Sequence, residues 1–248
     1  KDSDKLLIKV LPKDRKALID SKTDLPTGPT VSTSDGKVSQ NRTYQDLLKN
    51  PTDEANFITL VTAELYTISL SGKMELFKKA DLYAGEDFSP DGNYLMISTL
   101  QKPFSYVVPY SRFPYTTIVY DLTGKAIKTV NEVPLYEIAP KGFSSTRTGK
   151  RSMNWRADKP ASLSYVVALD GGDQANQVPF RDEVFSWDAP FTANAVSLIK
   201  TQQRYGGIQW GDDTTAIAFD SWYDTRNQKV YLFNPSNPSV APKIISDR

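Results

Sequence analysis

The chain contains no cysteine and no histidine in 248 residues. Without cysteine there are no disulfides, no thiolate nucleophile and no Cys-ligated zinc. Without histidine the commonest general base and the commonest metal ligand are both missing, and these residues alone cannot assemble a Ser-His-Asp triad. Charge of one sign is lacking too: 30 Lys plus Arg face 29 Asp plus Glu, a net +1. Such a balance gives no long-range attraction to nucleic acid or to an anionic membrane, so neither is an expected partner. No apolar run approaches the roughly 18 residues that span a bilayer. The opening Lys1-Asp2-Ser3-Asp4-Lys5 is no signal peptide and lacks an initiator Met, so a leader removed or omitted upstream is expected.

What is present reads as a repeat. With 39% hydrophobic and 24% charged residues the chain has the makings of a globular domain. Three stretches follow one template of strand, turn, strand, loop, strand, turn, strand. The first runs through 84–88, a Ser89-Pro90-Asp91-Gly92 turn, 93–98, then 116–121, a Leu122-Thr123-Gly124-Lys125 turn and 126–130. The second uses 151–155, 162–167, 182–187 and 195–199; the third uses 206–210, 215–219, 229–233 and 242–245. Phe88, Trp155 and Trp210 occupy the same place, the aromatic before the first turn, 67 and 55 residues apart. That spacing suits four-stranded blades with variable loops, whose strands read as short apolar runs because both faces are buried. The Asp91-Gly92 pair is the strongest hairpin signal. An all-β fold of β-propeller blades is therefore expected, three full and one partial, with a sandwich or barrel as the rival. The partial blade is a hairpin between Phe57 and Phe77.

Before residue 57 the character changes, which sets an expected boundary between an N-terminal segment, 1–56, and the blades, 57–248. Residues 22–40, rich in Thr, Ser, Pro and Gly, suggest an extended wrapping segment. Residues 43–48 suggest a short helix capped by Thr43 and stopped by Asn50-Pro51. Residues 4–11 alternate weakly and suggest one strand.

Several phrases are more specific: residues 42–54, 102–106 with 112–114, Arg151-Ser152-Met153-Asn154-Trp155 continuing to Pro160, Arg204-Tyr205-Gly206-Gly207-Ile208-Gln209-Trp210, and Ser221-Trp222-Tyr223-Asp224-Thr225-Arg226. In this order they resemble the N-terminal half of the glutamyl endopeptidase group of the prolyl oligopeptidase superfamily. The resemblance implies an N-terminal propeller that filters peptide substrates over a C-terminal α/β-hydrolase domain carrying Ser, Asp and His. No nucleophile elbow of the Gly-x-Ser-x-Gly kind occurs here, so the resemblance carries a domain's role rather than an activity, and no cofactor. It also implies either export from a bacterium or, as the alternative, the chloroplast stroma.

If the parent enzyme recognises Glu, a cation should meet the carboxylate, and Arg provides a two-pronged fork. Arg147, Arg151, Arg156, Arg204 and Arg226 are the candidates inside or beside the matching phrases, against the plain alternative of pairing with Asp158 or Asp224. Tyr106 and Phe113, in the long loop with Phe104, Tyr110 and Tyr115, are candidates for peptide or domain contact, against simple covering of a blade edge. Trp222 and Tyr223 follow a strand and are expected in the core. Asp170-Gly171-Gly172-Asp173 and Asp212-Asp213 offer too few oxygens for calcium and read as turns. A stand-alone propeller binding a protein or glycan, and a carboxylate-based hydrolase, remain alternative readings. Blades that do not close a ring expose flat faces and unpaired edges, so the chain is expected to self-associate, to close as a small ring or to be marginally stable.

Overall fold

The computed structural model describes residues 5–20 and 44–248. The wrapping segment 22–40 and the Thr43 cap lie outside the described residues.

Among the described residues fifteen strands form four antiparallel sheets, and within each sheet every strand is hydrogen-bonded to the next one in sequence. The first sheet holds β1 (Lys5–Val10), β2 (Ala63–Ser69) and β3 (Met74–Asp81). The second is β4 (Tyr83–Phe88), β5 (Tyr94–Leu100), β6 (Tyr115–Asp121) and β7 (Ala126–Val133). The third is β8 (Arg151–Trp155), β9 (Ser162–Ala168), β10 (Asp182–Asp188) and β11 (Val196–Thr201). The fourth is β12 (Arg204–Trp210), β13 (Ala216–Ser221), β14 (Gln228–Phe233) and β15 (Lys243–Asp247). The expected strands are present, and Lys5–Val10 pairs with Ala63–Ser69, giving the partial blade a third strand from far away in sequence.

The sheets pack face to face in chain order, and the alternation of side chains along each strand explains how. On β5, Leu95 and Ile97 point to the first sheet, where they meet Leu65, Leu7 and Phe77. Met96 points the other way and joins Val119 and Val130 against Trp155 and Leu163 of the third sheet and Phe191 of the connection between β10 and β11. Val166, Val184, Leu198 and Ile199 then meet Ala216, Ala218, Tyr231 and Phe233 of the fourth. Sheets buried on both faces and stacked in succession are blades, not the two layers of a sandwich. Among the described residues no strand pairing joins the last sheet to the first.

Phe88, Trp155 and Trp210 each end the first strand of their blade, as the repeat requires. Their environments differ. Trp155 is buried and donates its indole N–H to the Asp87 carbonyl of the preceding blade at 3.0 Å. Phe88 is exposed.

One expectation is corrected. Asn50-Pro51 does not stop a helix but starts one, α1 (Pro51–Val61), while residues 44–49 are irregular. Proline at the first helical position lacks an N–H that would be orphaned anyway. Asn50 Oδ1 accepts from the Asp53 N–H at 2.8 Å, and the Asp53 carboxylate accepts from the Lys49 N–H at 3.0 Å, a reciprocal cap. The helix packs Phe57 edge-on against Phe104 and Phe113 of the long loop in the first full blade.

Candidate functional site

Three irregular segments converge where β8 and β12 begin: residues 134–150, 169–181 and 222–227. They are held by buried charge. Asp182, wholly buried at the start of β10, pairs with Arg204 Nη1 at 2.8 Å and with Arg151 Nη2, and accepts from the Tyr205 N–H at 2.6 Å. Asp170, at the end of the β9 segment, pairs with Arg204 Nη2 at 2.6 Å and Arg181 Nη1 at 3.1 Å, and accepts from the Gly172 N–H at 2.9 Å. Burial raises the Asp170 carboxyl, but hydrogen bonds and charge from Arg204, then Arg181 and Gly172, outweigh it and hold it below the ordinary carboxylate range. Desolvation lowers Arg204, and its two carboxylates more than restore it, so its net shift is upward. The cluster contains three guanidiniums and two carboxylates.

The same arginines fix the loops. Arg204 Nε donates to the Ser144 carbonyl at 2.8 Å, Arg181 binds the Gln174 and Asn176 carbonyls, and the Ser144 hydroxyl accepts from the Tyr223 N–H at 3.0 Å. Thr146 N donates to the Gly172 carbonyl at 2.8 Å. Gly172 has φ +79°, and a Cβ there would stand 2.1 Å from the Thr146 carbonyl oxygen, so only glycine permits this approach.

Over this base the segment 134–150 encloses a cleft of about 310 Å³, lined by Pro134, Tyr136, Ile138, Pro140, Arg147 and Thr148 among others. The first four lie two residues apart, which places their side chains on one side of an extended chain. Leu135, on the other side, packs with Phe113 and Leu100.

The candidate arginines separate into two groups. Arg151 and Arg204 belong to the buried cluster. Arg156 is buried at the far end of β8, where it clasps Asp158 through Nε and Nη2, bonds Ser186 Oγ at 2.9 Å and lies 4.3 Å from the centre of the Trp210 ring. The alternative of pairing with Asp158 thus describes Arg156. Arg147 lines the cleft and spends its hydrogen bonds on the Thr148 and Lys150 carbonyls and the Tyr115 hydroxyl, all neutral. Arg226 is exposed, its guanidinium 3.8 Å from the Tyr223 ring, which in turn lies tilted against Phe143 with ring centres 4.3 Å apart. The Asp224 carboxylate accepts from Gln174, not from Arg226.

The aromatics of the long loop lie elsewhere. Phe113 is 1% exposed, stacked on Phe104 at 5.0 Å, and has no surface to offer a peptide. Tyr106 is partly exposed and donates to Glu54 of α1 at 3.1 Å; Lys102 grips the same carboxylate at 2.8 Å and depresses its pKa. Trp222 is half-buried under Arg181, whereas Tyr223 is exposed, so the core placement holds for neither fully. Asp212 serves a turn through Thr214, and among the described residues no group of three Asp, Glu, His or Cys could hold a metal. No helix of the described residues is long and apolar enough to cross a membrane.

Sequence reasoning missed Arg181, Asp170 and Asp182 as a unit. A signal existed: Arg151 and Arg204 hold the first position of the inner strand in successive repeats, a place where a shared partner is to be expected. The period-two run Pro134, Tyr136, Ile138, Pro140 was equally visible.

Consecutive four-stranded antiparallel blades, each stacked on the next, define a β-propeller domain. Comparison with known proteins gives its relation. The chain is 37% identical over 246 residues to a probable glutamyl endopeptidase, chloroplastic, of Oryza sativa subsp. japonica, covering 98% of this chain and 26% of that protein. It is 37% identical over 250 residues to the protein of the same name from Arabidopsis thaliana, covering 100% of this chain and 26% of that protein. The chain is therefore similar along its length to glutamyl endopeptidases and is a peptidase-related β-propeller domain. It spans about a quarter of the length of these relatives. Among solved structures, the β-propeller domain of the Trilobed protease from Pyrococcus furiosus aligns over 75% of this chain and 49% of its own, with 11% identity and TM-score 0.45. The Pyrococcus horikoshii acylaminoacyl peptidase aligns over 75% of this chain and 28% of its own, with 15% identity and TM-score 0.45. No protein-family model matches the chain. Both plant relatives are named chloroplastic, which agrees with the stromal alternative and lends no support to bacterial export.

Proposed function

We propose that these blades are the substrate-handling part of a serine peptidase that cuts beside glutamate, gating and positioning peptides for a hydrolase domain encoded outside these 248 residues. The observation that carries this reading is the 37% identity to glutamyl endopeptidases over the whole chain, in a sequence without histidine. A histidine-dependent triad must then lie outside these residues. The division of labour has a physical basis. Blades stacked through apolar faces make a rigid wall, and the irregular segments at one end of that wall carry the cleft and the uncommitted arginines. Such a wall admits extended peptides and excludes folded proteins without entering the chemistry. The chloroplast is the compartment the relatives' names favour.

The test uses the complete coding sequence beside the 248-residue chain. The complete protein is expected to cleave unstructured glutamate-containing peptides, spare the same sequences inside a folded protein, and lose activity when its nucleophilic serine is replaced. The blades alone are expected to cleave nothing. A complete protein with no peptidase activity on any such peptide, or blades that cleave on their own, would overturn the reading.

A further inference from the structure

The cleft formed by residues 134–150 has the composition of a ligand site rather than of a packing defect. Its walls are Pro134, Tyr136, Ile138 and Pro140, and its polar group is the Arg147 guanidinium. Ligand clefts characteristically combine apolar walls with a few placed polar groups.

The charge of Arg147 is not neutralised. Of its five N–H bonds, three go to the Thr148 carbonyl, the Lys150 carbonyl and the Tyr115 hydroxyl. The Nε–H and one Nη1–H have no protein acceptor among the described residues, and no carboxylate there forms an ion pair with this side chain. The contrast with its neighbours is chemical: Arg151, Arg181 and Arg204 all contact aspartates. Arg147 combines a fixed position, an apolar surround and unspent donors; Arg112, whose guanidinium lies 5.0 Å from the centre of the Tyr136 ring, is the other cation beside the cleft wall. The three carbonyl and hydroxyl partners of Arg147 hold its guanidinium in one orientation, so little side-chain freedom is lost when an anion arrives. The backbone around it is fixed as well, by Thr146 N to Gly172 O at 2.8 Å, Arg204 Nε to Ser144 O at 2.8 Å and Tyr136 N to Arg112 O at 3.0 Å.

We propose that the cleft is a peptide subsite in which Arg147 binds a carboxylate while Pro134, Tyr136, Ile138 and Pro140 cover the apolar part of the same segment. The planar guanidinium matches a carboxylate better than any other side chain does. A cleft of about 310 Å³ holds a few residues, not a folded partner. The carboxylate has two sources, a glutamate or aspartate side chain or the peptide's own C-terminus. The inference rests on the reading of this chain as a peptide-handling domain and adds to it a place and a chemistry.

The experiment titrates capped tripeptides into the isotopically labelled 248-residue chain and follows backbone and Arg side-chain NMR shifts. Three probes are used: acetyl-Pro-Ala-Glu-amide, acetyl-Pro-Ala-Gln with a free C-terminus, and acetyl-Pro-Ala-Gln-amide. At least one carboxylate probe is expected to bind about tenfold more tightly than the neutral one, the size of a charge-assisted hydrogen bond, with shifts centred on residues 134–148. Which probe does so identifies the source. Arg147→Gln is expected to abolish the difference. Because Arg147 also supports its own loop, a second pair of variants guards against misfolding. Thr148 is exposed, and Thr148→Glu places a competing carboxylate beside the guanidinium, whereas Thr148→Gln adds the same bulk without charge. Because Thr148 itself lines the cleft, the second measures the effect of added bulk, and the first is expected to weaken carboxylate binding about tenfold more than the second. Equal affinities for all three probes, shifts elsewhere, or equal effects of the two Thr148 variants would each overturn the proposal. A complete protein that cleaves glutamate peptides while the blades show no carboxylate preference refutes the subsite and spares the domain's role; carboxylate binding by the blades in a protein with no peptidase activity does the reverse.

Discussion

Replacing Asp170 by asparagine keeps the shape of the side chain and removes its charge. Its carboxylate accepts four hydrogen bonds: two from Arg204 at 2.6 and 3.2 Å, one from Arg181 at 3.1 Å and one from the Gly172 N–H at 2.9 Å. An amide can still accept from Gly172, but its NH2 must face a guanidinium, and two largely buried cations lose a counter-charge. Removing one member of such a buried pair costs about 3–5 kcal/mol. With Tm falling about 2–4 °C per kcal/mol for a domain of this size, the expected drop is about 6–20 °C at pH 7. The pH dependence follows from the depressed carboxyl. A group whose folded pKa lies below its unfolded value contributes stability that is complete above the unfolded value, near 4, and vanishes as pH falls through the folded one. The deficit of Asp170→Asn relative to the parent should therefore be complete at pH 6–7 and shrink below about pH 4. Scanning calorimetry at several pH values measures both quantities. Pairing the change with Arg181→Gln should give a coupling of about 0.5–3 kcal/mol. A drop under 2 °C at pH 7, or a deficit independent of pH, would refute this account of the cluster.

Four other outcomes follow from the same structure. Asp220 is buried, and desolvation raises its carboxyl despite the Tyr231 hydroxyl at 2.7 Å, so its charged form opposes folding above its folded pKa; Asp220→Asn should cost under about 1 kcal/mol at pH 7 in chemical denaturation, far less than Asp170→Asn. Trp155→Phe should cost about 1–2 kcal/mol through loss of its bond to Asp87, and Trp155→Ala about 3–5 kcal/mol through the cavity it leaves, by urea denaturation. Asn50→Ala should cost about 1 kcal/mol and speed hydrogen exchange at the Asp53 amide, which loses its acceptor. The isolated chain should show concentration-dependent mass in light scattering, because Ile244 and Ile245 of the last strand and Leu76 of the first sheet are exposed; Ile245→Asp should reduce it.

The blades were legible because their signals are local. Turn residues such as Asp91-Gly92 and Asp121 through Lys125 fall where the hairpins turn, and the aromatics before the first turn mark the end of each inner strand. Lys5–Val10 was readable as a strand but not as the partner of Ala63–Ser69, because strand pairing across more than fifty residues leaves no local trace. The helix was misplaced for a definable reason: Asn-Pro reads equally as an end or a beginning, and only the acidic pair Asp53 and Glu54 just after it, favourable at a helix N-terminus, distinguishes the two. Of the candidate arginines, sequence gave the residue type and not the neighbour. Arg204 and Arg147 look alike in a string of letters; one is flanked by two buried aspartates from other strands, the other by oxygens without charge.

The two clasps on β8 have a mechanical consequence. At one end Arg156 reaches across to Trp210 of the next blade, and at the other Arg151 shares Asp182 with Arg204 of that same blade. A plate fastened along one edge can swing like a page; a plate fastened at both ends of its spine cannot. The third and fourth sheets should therefore move as one slab. A load applied at the cleft would enter the slab through Ser144 and Arg204 and be shared by two sheets at once.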